Sequence, residues 1–175
     1  CTRCVLHGTR TQTVFGVGDR CAGWMFIGEA PGADEDKQGE PFVGRAGQLL
    51  TAMLKALGFK REDVYIANVL KCRPPGNRDP KPDEALQCRG YLERQIELVS
   101  PALIVAVGRI AAQNLLGTDT ALARLRGKVH ALAPGGWPLI VTYHPAYLLR
   151  SPAEKRKAWQ DLSFARQVYG RLQSG

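Results

Sequence analysis

Four short apolar runs alternate with helical segments along this chain, and this alternation restricts its fold more than any other feature. The runs are Trp24–Ile27, Val64–Val69, Leu103–Val107 and Leu139–Thr142. Apolar spacing and terminal signals predict helices from about Arg45 to Gly58, Pro82 to Val99, Gly108 to Gly117 and about Ala153 to Leu172. Because a helix that connects two strands of one sheet leaves them parallel, the pattern predicts an α/β fold: a three-layer α/β/α sandwich with a central four-stranded parallel sheet.

Length, charge and hydropathy limit the classes of function. With 175 residues and no visible linker, we predict a single domain over residues 1–175. No apolar run approaches membrane-spanning length, so we expect no membrane partner.

Lys and Arg number 24 against 16 Asp and Glu, giving a net charge of +8. This charge favours DNA or RNA as a partner, with basic solubility alone as the alternative. The chain begins at Cys1 rather than Met, so we expect upstream residues to have been removed.

The cysteines suggest a metal centre. Their total of five is odd, which argues against a fully paired disulfide framework and for a reducing compartment. Cys1 and Cys4 form a tight pair, whereas fifteen residues separate Cys72 from Cys88. A zinc ribbon would need two tight pairs, and an iron–sulfur cluster tolerates dispersed ligands better. On spacing alone, scattered buried thiols without a metal remain an alternative.

Polar residues follow the strands, at the edge of a parallel sheet where ligands bind. The first strand runs into Gly28 and Glu29, and the carboxylate of Glu29 can position a water molecule. The second strand ends at Asn68, whose amide offers the donor and acceptor needed to read a nucleobase edge. Phe42 could stack on such a base, and the fourth strand leads to His144. These residues therefore predict a base-binding site at one edge of the sheet.

An apolar tip follows His144 and ends in a basic residue. We predict that Leu148 and Leu149 form an exposed wedge that enters the space left by a flipped base, with Arg150 on phosphate. The alternative is that this segment is the first turn of a buried helix.

Taken in order, these motifs resemble the uracil-DNA glycosylases of family 4, the iron–sulfur branch of the uracil-DNA glycosylase superfamily. The matching motifs are the Cys1/Cys4 pair, Gly28-Glu-Ala-Pro-Gly32, Pro41-Phe-Val-Gly44, Asn68-Val-Leu-Lys-Cys72-Arg-Pro-Pro75, Cys88 and His144-Pro-Ala-Tyr-Leu-Leu-Arg150. They extend over nearly the whole chain, and their order and spacing make the resemblance specific.

The resemblance implies a cofactor and a set of substrate contacts. A [4Fe-4S] cluster with a structural role would be held by Cys1, Cys4, Cys72 and Cys88. Cys21 matches no ligand position. Uracil, flipped from single- or double-stranded DNA, would contact Gly28, Ala30, Glu35, Phe42, Asn68 and His144. Among these, Glu35 would exclude the thymine methyl group and His144 would support the uracil O2 atom.

The reaction implied is hydrolysis of the N-glycosidic bond of deoxyuridine, which releases uracil, leaves an abasic site and begins base excision repair. Glu29, Asn68 and His144 are the predicted catalytic residues, and donors aimed at the departing base would stabilise its charge. Lys71 is expected to point away from the side of Asn68 or toward phosphate, so no Schiff base and no strand cleavage are expected. We expect a monomer in the cytoplasm of a prokaryote.

Three other functions fit these residues less well. A branch of the superfamily traps DNA covalently through a histidine, but residues 73–82 contain none. A non-catalytic iron–sulfur module that binds DNA would not need Glu29, Asn68 and His144 together. A family 5 enzyme is disfavoured because its first motif lacks the polar residue that Glu29 supplies.

Overall fold

The computed structural model describes residues 1–174, and its centre is a six-stranded sheet. The strands are β1 (Val17–Gly18), β2 (Trp24–Gly28), β3 (Tyr65–Asn68), β4 (Leu103–Val107), β5 (His130–Leu132) and β6 (Trp137–Thr142). Their order is β1-β3-β2-β4-β6-β5, and the four inner strands are parallel. The predicted parallel core is confirmed. The total of four strands is wrong, because β1 and β5 add antiparallel edges.

Helices cover both faces of the sheet, which confirms the three layers. They are α1 (Ala33–Gln38), α2 (Arg45–Ala56), α3 (Pro82–Val99), α4 (Arg109–Leu116), α5 (Leu122–Leu125), α6 (Pro145–Arg150) and α7 (Lys155–Gln173). Side chains alternate along β2: Met25 and Ile27 pack toward α3 and α4, whereas Trp24 and Phe26 pack toward α2 and α7. Within residues 1–174, no helix combines the length and apolar character needed to cross a membrane.

The start of α3 fixes the loop that follows β3. The Glu84 carboxylate accepts the main-chain N–H of Lys81 at 2.9 Å, which caps the helix beside Pro82. The same carboxylate is fully buried and accepts two hydrogen bonds from Arg78, at 2.6 and 2.9 Å. This fork-to-fork pairing ties the loop of residues 73–81 to the helix.

Helix α6 corrects one sequence prediction. Leu148 is 1% exposed and faces a small cavity of about 190 Å³ that it lines together with Met53 of α2 and Leu162 of α7. An exposed wedge at Leu148 is therefore wrong, and the buried-helix alternative describes this residue. Leu149 and Tyr147 are the exposed apolar residues of α6, at 36% and 37%. Successive helical residues point about 100° apart, so only one of two adjacent leucines can face the core.

The burial of Leu148 predicts unequal effects for the two leucines on stability. Leu148→Ala removes a buried side chain and leaves a cavity, so the free energy of unfolding should fall by about 2–5 kcal/mol. Leu149→Ala, the matched control, should cost less than about 1 kcal/mol. Denaturant unfolding of both variants measures the difference, and equal losses would contradict the packing of α6.

Candidate active site

The predicted site residues gather around one cavity of about 450 Å³ beyond the carboxyl ends of β2, β3 and β6. The sequence-predicted residues that line it are Glu29, Ala30, Glu35, Phe42, Asn68, His144 and Arg150. Further lining residues come from the loop after β3 and from α6, namely Pro74, Asn77, Arg78, Asp79 and Tyr147. Leu148 and Leu149 are not among the lining residues.

Gly28 and Asn68 approach each other closely because β2 and β3 are paired in parallel with these two residues in register. A Cβ atom at Gly28 would lie 2.5 Å from Asn68 Oδ1 and 2.5 Å from Phe42 Cζ. Only glycine leaves room for both groups. Asn68 is 2% exposed, and its Oδ1 atom is buried with no hydrogen-bond partner within residues 1–174. A buried amide oxygen of this kind favours a ligand that donates a hydrogen bond.

His144 presents a fixed nitrogen to the same cavity. It follows β6 and precedes α6, and the main-chain N–H of Ala146 donates to its Nδ1 atom at 3.1 Å. The neutral ring therefore carries its proton on Nε2. Burial, and after it the charge of Arg150, lowers the pKa of His144 to about 4, although the charge of Glu35 acts in the opposite direction. The Phe42 and His144 rings lie with their centroids 5.6 Å apart.

Glu29 is the titratable carboxylate at the end of β2. Its pKa is raised to about 7, mainly by burial and also by the charge of Asp79, while the charge of Arg109 acts in the opposite direction. Asp79 and Arg109 form an ion pair at 3.1 Å. Sequence reasoning missed both residues, although Arg109 lies two residues after β4 and the strand-end rule could have found it.

Glu35 lies in the cavity as predicted, and it also organises the main chain around it. Its Oε1 atom accepts the N–H groups of Val43 and Gly44, both at 3.0 Å. Its Oε2 atom accepts the N–H of Gly32 at 3.1 Å. One carboxylate thus joins the turn after β2 to the loop that carries Phe42.

The rim of the cavity is basic and aromatic. Arg150 is exposed and lines the opening. Tyr147 stacks on Tyr143 with ring centroids 5.2 Å apart, and the guanidinium of Arg126 lies 4.4 Å from the Tyr143 ring centroid. Such a stack can support contacts with nucleobases.

A second cavity, of about 250 Å³, is lined by Cys1, Cys4, Cys72 and Cys88. Cys72 and Cys88 are buried, and Arg10 donates a hydrogen bond to the Cys72 sulfur at 3.1 Å. Burial raises the pKa of the Cys88 thiol, and the nearby Cys72 and Cys4 sulfurs raise it further.

Within residues 1–174, no three His, Cys, Asp or Glu side chains meet as closely as a single metal ion requires. A cavity with four sulfur donors has the composition that suits an iron–sulfur cluster. Cys21 is exposed and is not among the residues lining this cavity.

Lys71 lies between the two cavities. It is 4% exposed, and its Nζ atom donates to the main-chain carbonyl of Asn68 at 2.7 Å. The side chain lines the cysteine cavity, and burial lowers its pKa to about 7. Of the two expected directions for Lys71, the structure agrees with the one away from the Asn68 side chain and its cavity, and not with the one toward phosphate. Among the described residues that line the Asn68 cavity, none is a lysine.

Comparison with known proteins agrees with this geometry. Residues 15–163 match the model of the uracil DNA glycosylase superfamily. A type-4 uracil-DNA glycosylase of Archaeoglobus fulgidus is 48% identical over 179 residues, covering 99% of this chain and 90% of the relative. The type-4 enzyme of Thermotoga maritima is 48% identical over 86% of this chain and 79% of its own length. A type-5 enzyme of Thermus thermophilus is 32% identical over 76% of this chain and 68% of its own. The resemblance found in the sequence is confirmed: the chain belongs to the uracil DNA glycosylase superfamily, on its type-4 branch.

Proposed function

We propose that this protein is a monofunctional uracil-DNA glycosylase, which hydrolyses the N-glycosidic bond of deoxyuridine in DNA, releases uracil and leaves an abasic site for base excision repair. The observation that carries the proposal is the Oδ1 atom of Asn68, which is buried beside the Phe42 ring and has no hydrogen-bond partner among residues 1–174. A flipped uracil supplies what this atom lacks, because its N3–H group is a donor and its flat ring can stack.

Base recognition rests on Asn68 and Phe42. The Asn68 Oδ1 atom accepts the N3–H of uracil, and the amide nitrogen donates to O4. Cytosine presents the opposite pattern at these positions and leaves both amide atoms unsatisfied. Phe42 stacks on the base, and Glu35 occupies the space that the thymine methyl group would need. Contacts from Gly28 and Ala30 complete the pocket.

His144 stabilises the departing base. Cleavage leaves positive charge on the sugar and negative charge on uracil, so a donor aimed at O2 acts mainly in the transition state. The hydrogen bond from Ala146 to Nδ1 leaves the Nε2–H free for this purpose. With its pKa lowered to about 4 by burial, the ring stays neutral near pH 7 and does not lose its proton to the base.

Glu29 orients the water molecule that attacks the sugar. Its carboxylate lines the cavity at the end of β2. As an ion it accepts a hydrogen bond from the water and places it below C1′. No lysine among the described lining residues competes to form a Schiff base, which supports hydrolysis without strand cleavage.

DNA binding uses the basic character of the chain, with a net charge of +8. Arg150 contacts phosphate at the rim, and exposed Leu149 takes the wedge role that buried Leu148 does not have. Both single- and double-stranded DNA that contain uracil are substrates. The protein acts as a single-domain monomer in the cytoplasm of a prokaryotic cell.

Cys1, Cys4, Cys72 and Cys88 would hold a [4Fe-4S] cluster. Such a cluster would cross-link the chain and would supply no redox chemistry, because hydrolysis moves no electrons. The shared cavity of the four sulfurs supports this assignment.

Uracil release tests the function directly, and Asn68 tests the pocket. The protein should convert a uracil-containing oligonucleotide, but not its thymine counterpart, to an alkali-labile product.

Asn68→Ala should lower the single-turnover rate by about 10²–10³-fold, because it removes contacts that strengthen as the base gains charge. Nonspecific DNA binding, measured by anisotropy, should not change. Asn68→Asp should lose part of the uracil activity and gain some activity on cytosine.

The matched control for Asn68 is Asn114→Ala, an exposed amide on α4. It should excise uracil at the rate of the unmodified protein. A normal excision rate in Asn68→Ala would show that the base is bound elsewhere.

The pKa values predict a rising pH profile set by Glu29. Because the carboxylate form is the active one and the pKa of Glu29 is raised to about 7, excision should increase as pH rises through that value. His144, with a pKa of about 4, contributes no change in this range. Glu29→Gln should give a slower, flat profile between about pH 5 and 9, whereas the exposed control Glu62→Gln should keep the rise. A rise that persists in Glu29→Gln would assign the titration to another group.

Iron analysis tests the cluster. Anaerobically purified protein should be brown, with about four iron and four sulfide per chain. Cys72→Ser should lose the visible absorbance, because Cys72 is one of the proposed ligands. Cys21→Ser, which changes an exposed thiol that is not a proposed ligand, should keep it. Zinc in place of iron would contradict the assignment.

A further inference from the structure

Phe42 has a backbone conformation that aromatic residues rarely adopt. Its φ angle is 55°, in the left-handed region, where the Cβ atom crowds the chain. The residue is nevertheless buried. Its ring lies beside Gly28, where a Cβ atom would come within 2.5 Å of Phe42 Cζ. Strain of this kind persists only where the surrounding groups fix the chain from several sides.

Two neighbours fix one side of this turn. The Glu35 carboxylate accepts the N–H groups of Val43 and Gly44 at 3.0 Å each. The carbonyl of Phe42 is pressed against α2, where a Cβ atom at Gly47 would lie 1.8 Å from the carbonyl oxygen. Glycine at this position in α2 therefore lets the strained residue approach the helix.

Arg61 fixes the other side, from a segment that lies beyond α2. Its Nη2 atom donates to the carbonyl of Pro41 at 2.7 Å, and its Nη1 atom donates to the carbonyl of Phe42 at 3.0 Å. The planar fork of a guanidinium suits two adjacent acceptors, and a lysine could not reproduce it. Pro41 and Phe42 are both buried. Removal of the Arg61 guanidinium would therefore leave both carbonyls without a partner that water readily replaces.

We propose that Arg61 is a positioning residue for base stacking: by holding the carbonyls of Pro41 and Phe42, it keeps the Phe42 ring where a flipped base is bound. This role rests on the proposed function, because it acts only through the stacking ring. Arg61 is not among the residues that line the cavity, so its effect on excision is indirect. Without the fork, the turn relaxes from its left-handed conformation and the ring moves. A displacement of about 1 Å at a reacting site can cost roughly 100-fold in rate.

A double-mutant cycle tests this coupling. The four proteins are the unmodified chain, Arg61→Met, Phe42→Ala and the double variant, each loaded with its cluster and assayed for single-turnover excision at saturating protein. Arg61→Met should slow excision by about 10- to 100-fold in the presence of Phe42. In the Phe42→Ala background, the same change should alter the rate by less than about twofold, because no ring remains to be positioned. The concentration of protein that gives half-maximal DNA binding should stay constant, since the guanidinium faces main-chain carbonyls.

Two further variants separate positioning from a general loss of structure. Arg61→Lys keeps the charge but not the fork, so its rate should lie between those of Arg61→Met and the unmodified protein. It also replaces Arg61→Met in the cycle if the methionine variant does not fold. Arg94→Met removes an exposed arginine that pairs with Glu97 on α3 and should leave the rate unchanged.

The outcomes distinguish this inference from the proposed function. Equal rate losses for Arg61→Met with and without Phe42 would overturn the positioning role and leave the glycosylase assignment intact. A normal rate in Arg61→Met would do the same. If Phe42→Ala itself excises uracil at the normal rate, stacking is not part of the mechanism, and both the proposed role of Phe42 and this inference fall.

Discussion

The active site depends on the absence of a side chain at Gly28. Parallel pairing of β2 with β3 places Gly28 directly beside Asn68, and the Asn68 Oδ1 atom and the Phe42 ring both occupy the space that a Cβ atom would fill. This packing buries an amide oxygen that has no hydrogen-bond partner in the described part of the chain, residues 1–174, and places the Phe42 ring beside it. An unsatisfied buried acceptor costs stability in the free protein, and a bound base can recover that cost. The position of the Asn68 amide thus follows from strand register.

Burial shifts the pKa values of His144 and Glu29 in opposite directions because it disfavours whichever form is charged. It lowers the pKa of His144 to about 4, so the ring remains a neutral donor. It raises the pKa of Glu29 to about 7, which makes this carboxylate sensitive to pH in the physiological range. The ion pair of Asp79 and Arg109 lies close enough to Glu29 for both charges to act on it, so the loop after β3 also tunes the carboxylate.

The sequence predicted the parallel core, the three layers and the bounds of α3, because apolar runs and helix-start signals are local. It missed β1, since a two-residue strand has no periodicity to detect. It wrongly predicted an exposed Leu148, because two adjacent leucines look alike until packing buries Leu148 and exposes Leu149. Residues at strand ends were found, and they do line one cavity. Arg61 carries no such signal. It precedes β3 in the sequence, and it contacts the Phe42 turn only through main-chain carbonyls that the fold brings near it.

The base-reading amide and the proposed cluster share one short segment of chain. Asn68 ends β3, and Cys72 follows four residues later. Between them, Lys71 donates to the Asn68 carbonyl, and its own carbonyl accepts the N–H of Val14. Arg10, from the same N-terminal segment as Val14, donates to the Cys72 sulfur. A ligand bond at Cys72 would therefore restrain the segment that aims the Asn68 amide, which gives a hydrolase a physical reason to bind a cluster that transfers no electrons.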